Sequence, residues 1–120
     1  MIKAKNLKVG YEQKIIIEDL SIDIEKGQVV SILGPNGSGK STLLKALSRM
    51  VKPKSGEIYI ENQKLTDIKN KKISLKLCLL SQHNTVPGDI SVEDLVYFGR
   101  MPHKKWYETK LKEDEEIVNW

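Results

Sequence analysis

The sequence predicts an α/β fold, with an antiparallel β portion near the N-terminus followed by buried parallel strands and helices. Residues 20–24 alternate apolar and polar side chains, a pattern typical of a half-buried strand. Residues 29–33 are almost continuously apolar, which is typical of a strand covered on both faces in a parallel sheet. A glycine-rich stretch then leads into residues 42–47, which are good helix formers. Strand, glycine-rich loop and helix in this order predict the α/β class.

Composition limits the kinds of protein this chain can be. Its 120 residues are 39% hydrophobic and 30% charged with a formal net charge of +4, which is ordinary for one globular domain. No apolar run approaches the ~18 residues that a membrane-spanning helix needs, and the start has no signal-peptide core. The single cysteine, Cys78, excludes an internal disulfide and, beside two histidines, a Cys/His zinc cluster. We expect a soluble protein of a reducing compartment.

The basic excess does not predict a nucleic-acid partner. The densest basic stretch is residues 69–72, and no aromatic ring interrupts it. A charge run alone shows only electrostatic potential, so we interpret this stretch as a solvated helix start.

The first half of the chain gives the β portion. In residues 2–9 the apolar alternation slips near Asn6, which predicts a strand with a β-bulge. The strand at residues 20–24 should end at Gly27, and Gly56 should close the helical unit before a short strand at residues 57–60. Asn62 follows that strand, where a left-handed turn residue is expected.

The second half is predicted to turn from strand to helix. Residues 77–80 are predicted to form a second buried strand, with Cys78 as a small buried hydrophobic side chain. Ser91 and Asp94 form a capping box at the start of a helix that Gly99 should end. A last helix is predicted to begin near Glu108.

The glycine-rich stretch carries the chemistry. It fits the pattern G-x-x-x-x-G-K-[ST] at every position and reads Gly34-Pro35-Asn36-Gly37-Ser38-Gly39-Lys40-Ser41. Glycines let successive backbone N–H groups turn toward an anion, and the following helix adds its positive N-terminal end. Lys40 would reach terminal phosphates, and the Ser41 hydroxyl would join a magnesium shell. The alternative is a glycine-rich turn before an ordinary helix.

Together with Thr42, this loop resembles the Walker A loop of ATP-binding-cassette (ABC) ATPases. Three more segments resemble that family: Val9-Gly10-Tyr11 its adenine-stacking loop, residues 53–58 the turn after the Walker helix, and Leu80-Ser81-Gln82 its Q-loop. The resemblance implies a P-loop NTPase fold with ATP and Mg²⁺ as cofactors. It further implies that residues 34–42 bind the nucleotide, that Tyr11 stacks on adenine and that Gln82 joins Ser41 at the magnesium. Without the loop, Tyr11 would be interpreted as a packed aromatic at a rim.

A narrower resemblance comes from residues 96–103, which read Val-Tyr-Phe-Gly-Arg-Met-Pro-His. They are similar to a helix-ending segment of ABC ATPases that power importers of iron-siderophores, haem and cobalamin. The alternative is a generic glycine-capped helix followed by proline. The resemblance implies the energising subunit of such an importer, with membrane permease subunits and a second ATPase subunit as partners. It also implies a peripheral position on the inner face of the cell membrane.

The resemblance covers residues 1–90 as the β and P-loop portion of one nucleotide-binding domain and residues 91–120 as the start of its helical subdomain. The family continues with a signature loop of adjacent glycines, a Walker B strand ending in Asp-Glu, and a switch histidine. None of the eight glycines here are neighbours, and residues 15–19 give the two acids in reverse order before the loop. We therefore expect an N-terminal fragment that binds ATP without turnover. The alternatives are a soluble ABC protein acting on nucleic acid or ribosomes and an inactive remnant of a split gene.

Overall fold

The computed structural model describes residues 1–82, 88–105, 107–109 and 111–120. The chain forms two compact units, Met1–Lys69 and Asn70–Trp120. The first unit contains, in order, β1 (Ile2–Tyr11), β2 (Lys14–Ile24), α1 (Lys40–Leu47), β3 (Ser55–Ile60), β4 (Gln63–Lys64) and a 3₁₀ turn (Leu65–Asp67). The second contains α2 (Asn70–Ser74), α3 (Val92–Tyr97), a 3₁₀ helix (Phe98–His103) and α4 (Lys112–Asn119). No helix in these described ranges is long and apolar enough to cross a membrane.

The first unit is built on an antiparallel sheet with strand order β2-β1-β3-β4. The predicted bulge in β1 is confirmed, because the register with β2 shifts between Ala4 and Leu7 and Asn6 has a φ of 47°. Side chains of β2 satisfy the polar groups of the bulge. The Asn6 N–H donates to Ser21 Oγ at 2.9 Å, and Asn6 Nδ2 donates to Asp19 Oδ1 at 3.2 Å.

Helix α1 packs against β1 and β2 and completes the core of the first unit. The predicted helix over residues 42–47 is confirmed, and it starts two residues earlier, at Lys40. Its buried side chains recur at helical spacing, so one face lies on the sheet. The buried hydrophobic residues of this unit are Ala4, Leu7, Val9, Ile17, Leu43, Ala46, Leu47, Ile58, Ile60, Leu65 and Ile68.

The predicted short strand is confirmed as β3, and the predicted turn at Asn62 is confirmed with it. Ile60 pairs with Gln63 across a two-residue connection in which Glu61 has φ 49° and Asn62 has φ 65°. Two consecutive positive φ values are typical of the tight hairpin turn whose twist matches its strands. An asparagine tolerates that conformation better than most side chains, which explains its position here.

The two predicted parallel strands are wrong in this structure. Residues 29–33 and 77–80 are not strands, and Val29, Leu33 and Leu80 are 97%, 89% and 85% exposed. Cys78 is exposed as well, which corrects its predicted burial. A strand of this composition is stable only when neighbours pair with it and layers cover both faces. Within the described residues, no strand pairs with either segment.

The predicted start of α3 is confirmed. Ser91 Oγ accepts a hydrogen bond from the Asp94 N–H at 3.1 Å and donates to Asp94 Oδ2 at 2.7 Å. The helix ends at Tyr97, two residues before Gly99, and continues as the 3₁₀ helix that contains Pro102. The subdomain boundary that we predict after residue 90 stays a prediction.

The last helix begins at Lys112, so the predicted start near Glu108 is wrong. Glu108 instead closes a turn, because its Oε2 accepts from the Lys105 N–H at 3.0 Å. The start of α4 is fixed by Asp114, which is 2% exposed and accepts from the Leu111 N–H at 3.0 Å. Lys104 Nζ at 2.5 Å and Arg100 Nε at 2.9 Å pair with the same carboxylate.

Candidate functional site

The candidate site is the loop of residues 34–39 together with the first turn of α1. Gly37 and Gly39 have φ values of 83° and 93°, in the left-handed region that favours glycine. A Cβ on Gly34 would lie 2.7 Å from Ser38 Oγ, so a larger residue there would displace the Ser38 side chain. The glycines therefore give this loop a tightly curved path that other residues would strain.

The loop lies against β2 at Gly39. A Cβ on Gly39 would lie 2.9 Å from Ile16 Cγ2 and 3.4 Å from Ile17 Cγ1. Gly39 is also the N-cap of α1, and its carbonyl accepts from the Leu43 N–H at 2.8 Å. Packing on the sheet thus holds the end of the loop and the first turn of the helix in one place.

Lys40 folds back into the curve of the loop. Its Nζ donates to the Gly34 carbonyl at 2.7 Å and to the Pro35 carbonyl at 2.6 Å. These two bonds leave one of the three ammonium donors for another acceptor. The positive charge of the site is therefore held inside the arc of backbone and not extended into solvent.

Backbone N–H groups are the other donors of this site; together with the Lys40 ammonium they are called the cradle. Ser38 donates its N–H to the Pro35 carbonyl at 3.3 Å, whereas the N–H groups of Gly37, Gly39, Lys40 and Ser41 have no acceptor among the residues that the structure describes. The first turn of a helix adds its partial positive charge. The ammonium and the free N–H groups can donate hydrogen bonds to phosphate oxygens, and the exposed Ser41 hydroxyl oxygen can serve as a ligand of Mg²⁺. The residues present therefore fit ATP with Mg²⁺.

Tyr11 belongs to the same neighbourhood of the first unit. It ends β1, pairs with Lys14 across the hairpin and is 45% exposed. Ile16, whose side chain lies next to Gly39, is two residues beyond Lys14 along β2. At the usual rise of a strand, these two residues are roughly 7 Å apart. The backbone of Tyr11 therefore pairs with β2 two residues before the position that touches the loop at Gly39.

Comparison with known protein families matches residues 17–120 to the ABC transporter family. The chain belongs to that family. Among its curated relatives, the ferric enterobactin transport ATP-binding protein FepC of Escherichia coli is 38% identical over 117 residues, covering 98% of this chain and 43% of that protein. The petrobactin import ATP-binding protein FpuC of Bacillus anthracis is 37% identical over 120 residues, covering 100% of this chain and 44% of that protein. The chain thus spans less than half the length of these ABC relatives.

Solved structures of ABC proteins share the fold. The dimeric post-hydrolysis state of the ATP-binding cassette MJ0796 with ADP and Pi has a TM-score of 0.78 at 26% identity, covering 99% of this chain and 54% of that one. An ATP-binding protein from Pyrococcus furiosus, titled a putative ABC transporter, has a TM-score of 0.73 at 35% identity, covering 97% and 53%. The P-loop cassette class predicted from the sequence is confirmed.

Gln82, the predicted Q-loop residue of this ABC chain, lies in the second unit. It is exposed and is the last residue described before the gap at residues 83–87. Its pairing with Ser41 at a magnesium ion stays a prediction. In the part of the chain that the structure describes, no cluster of three or more His, Cys, Asp or Glu could hold a metal ion.

Sequence reasoning missed one contact near the candidate site of this ABC chain. Lys54 Nζ donates to the backbone carbonyl of Glu12, although 42 residues separate them. The sequence predicts only a turn at residues 53–58, because no sequence pattern relates that turn to the hairpin between β1 and β2. The link follows from the pairing of β1 with both β2 and β3, which only the folded sheet shows.

Proposed function

We propose that this chain binds ATP with Mg²⁺ through residues 34–42, as part of the energising subunit of an ABC importer for iron-siderophore or a related metal chelate. The observation that carries the proposal is the cradle itself. The Lys40 ammonium is held over the loop by two carbonyls, and the neighbouring N–H groups of Gly37 and Gly39 point to no acceptor within the described residues. A polyphosphate supplies the acceptors that these donors lack.

Each predicted site residue has a distinct part in this proposal. Lys40 exchanges a carbonyl contact for the terminal phosphates, and Ser41 gives its hydroxyl to Mg²⁺. Tyr11 offers its exposed ring face to adenine, a planar group that stacks on aromatic rings. Gln82 joins the magnesium site and responds to the membrane subunit.

The importer assignment is supported by the relatives. FepC is named for ferric enterobactin transport and FpuC for petrobactin import, and a third relative, FhuC of Bacillus subtilis, for iron(3+)-hydroxamate import. Residues 96–103, which resemble a segment of this group, form the end of α3 and the 3₁₀ helix. The partners we propose are permease subunits and a second ATPase subunit, at the cytoplasmic face of the membrane.

Hydrolysis needs more than a phosphate cradle. Phosphoryl transfer requires a firmly held metal and an oriented attacking water besides bound phosphates. The 120 residues include neither adjacent glycines nor an apolar strand ending in Asp-Glu after the loop. We therefore propose binding without turnover for this chain taken alone. Phosphate release that disappears in Lys40→Ala would contradict that part of the proposal.

The proposal is tested by titrating the chain with a fluorescent ATP analogue in the presence of Mg²⁺. Lys40→Ala is compared with Lys45→Ala, which removes an exposed lysine from the same helix, α1, away from the loop. Loss of a charge-assisted hydrogen bond costs about 1.5–3 kcal/mol, or roughly 10- to 150-fold in affinity. We expect that loss for Lys40→Ala and parent-like affinity for Lys45→Ala. Equal binding by the two variants would remove the basis of the assignment.

A further inference from the structure

The turn that follows Tyr11 has an unfavourable backbone conformation. Only Glu12 and Gln13 connect β1 to β2, and Glu12 has a φ of 47°. A glutamate has no side-chain preference for the left-handed region, so surrounding contacts must hold the turn in this shape. Tyr11 is joined to Glu12 by a peptide bond and pairs with Lys14 across the turn, so the turn adjoins the end of β1 that carries the Tyr11 ring.

Lys54 supplies such a contact. Its ammonium donates to the carbonyl oxygen of Glu12, which belongs to the peptide bond between Glu12 and Gln13. Lys52, two residues earlier and exposed like Lys54, makes no hydrogen bond within the described residues. Of these two lysines, only Lys54 contacts the turn.

The base of the Lys54 side chain is fixed by the sheet. The Lys54 N–H donates to the Lys8 carbonyl at 2.7 Å, and Lys8 pairs with Ser55. Gly56, at φ 88° in β3, would place a Cβ 2.4 Å from the Asn6 carbonyl oxygen, so the absence of a side chain lets this part of β3 lie close against β1. The backbone that carries the Lys54 side chain is therefore held beside β1, from where the ammonium reaches the Glu12 carbonyl.

We propose that Lys54 is a positioning residue for nucleotide base binding, which clamps the Glu12 carbonyl and so holds the Tyr11 ring ready to stack on adenine. The inference rests on the proposed function for its functional consequence. Its structural half, the restraint of the hairpin turn, stands independently of any nucleotide.

The first test measures the turn itself. Amide hydrogen exchange is followed in residues 11–14 for the parent chain, Lys54→Met, Lys54→Arg and Lys52→Met. Methionine keeps most of the length of the lysine side chain but cannot donate a hydrogen bond, whereas arginine can. We expect exchange in the turn to quicken at least about threefold in Lys54→Met alone. Unchanged exchange in Lys54→Met, or equal quickening in Lys52→Met, would overturn the clamp.

The second test distinguishes binding of the adenine base from binding of the phosphates. Affinity is measured for ATP and for inorganic tripolyphosphate, which has no base, each with Mg²⁺. We expect Lys54→Met to weaken ATP about three- to tenfold and to leave tripolyphosphate unchanged, with recovery in Lys54→Arg. In a Tyr11→Ala background, Lys54→Met should have no added effect, because the ring that it positions is gone.

The remaining outcomes are distinguishable. Equal weakening of ATP and tripolyphosphate by Lys54→Met would show a direct charge effect or a general loss of structure, and would overturn the positioning role. Undiminished ATP affinity in Lys54→Met beside a clear loss in Tyr11→Ala would overturn it too. If Lys40→Ala leaves ATP affinity unchanged, the proposed function fails, and the exchange experiment still decides the clamp.

Discussion

Replacing Gly39 by alanine tests how the loop is built. A non-glycine residue in the left-handed region costs roughly 1–2 kcal/mol, and Gly39 has φ 93°. The new Cβ would also lie 2.9 Å from Ile16 Cγ2, and crowding of this kind typically costs about 1–3 kcal/mol. Together these two costs predict that Gly39→Ala destabilises the observed loop by about 2–5 kcal/mol. If the loop keeps its shape, the cost lowers the free energy of unfolding. If the loop relaxes, the cost lowers the affinity for ATP.

Two matched variants separate the two terms. Gly37 has φ 83° and open space where an alanine Cβ would lie, so Gly37→Ala carries the backbone cost alone, about 1–2 kcal/mol. Ile16→Ala removes the Cγ2 atom that the alanine at position 39 would meet, and should recover part of the loss in the double variant.

The assay combines urea unfolding with titration of a fluorescent ATP analogue for all four variants, since the loss can divide between the two quantities. We expect the summed effect of Gly39→Ala to exceed that of Gly37→Ala by about 1 kcal/mol or more. The reasoning is refuted if Gly39→Ala matches the parent chain in both measurements. The crowding cost is refuted if adding Ile16→Ala to Gly39→Ala recovers none of the loss.

Other expectations concern stability. Leu7 is fully buried, so Leu7→Ala should lower the free energy of unfolding by about 2–5 kcal/mol in urea titrations. Ser91→Ala removes the N-cap of α3 and should cost roughly 0.5–2 kcal/mol locally, seen as faster amide exchange in that helix. Lys104, the Leu111 N–H and Arg100 hold the pKa of Asp114 well below its ordinary value of 3.8. Because the pKa is lower in the folded state, the Asp114 carboxylate stabilises the folded chain above pH 3.8, and this stabilisation is lost as the pH falls below 3.8. The urea midpoint of the parent chain should therefore drop on acidification, and the midpoint of Asp114→Asn should drop less steeply.

Features set by local chemistry were predictable from the sequence. The bulge at Asn6, the turn at Asn62 and the cap at Ser91 each depend on residues within a few positions, and the structure confirms all three. The glycine-rich loop of residues 34–39 follows the same kind of local rule, because its glycines, Lys40 and the helix start are contiguous. Its binding of phosphate stays a prediction.

Features that depend on distant partners were not predictable in this way. The apolar composition of residues 29–33 and 77–80 indicates buried strands, yet burial needs neighbouring strands, and none pairs with them among the described residues. The start of α4 depends on Lys104 and Arg100 meeting Asp114, which moves the helix start to Lys112. The contact from Lys54 to Glu12 likewise exists only because the sheet brings two turns together.

The most direct test of the central claim is the response of single backbone amides to ATP with Mg²⁺, followed by NMR. The account predicts that the largest shifts, saturating together, belong to the amides of Gly37, Gly39, Lys40 and Ser41, whose N–H groups lack acceptors in the described structure. Inorganic tripolyphosphate should move the same amides and leave Tyr11 unaffected. Shifts centred elsewhere, with these four amides unchanged at saturating ATP, would contradict the account.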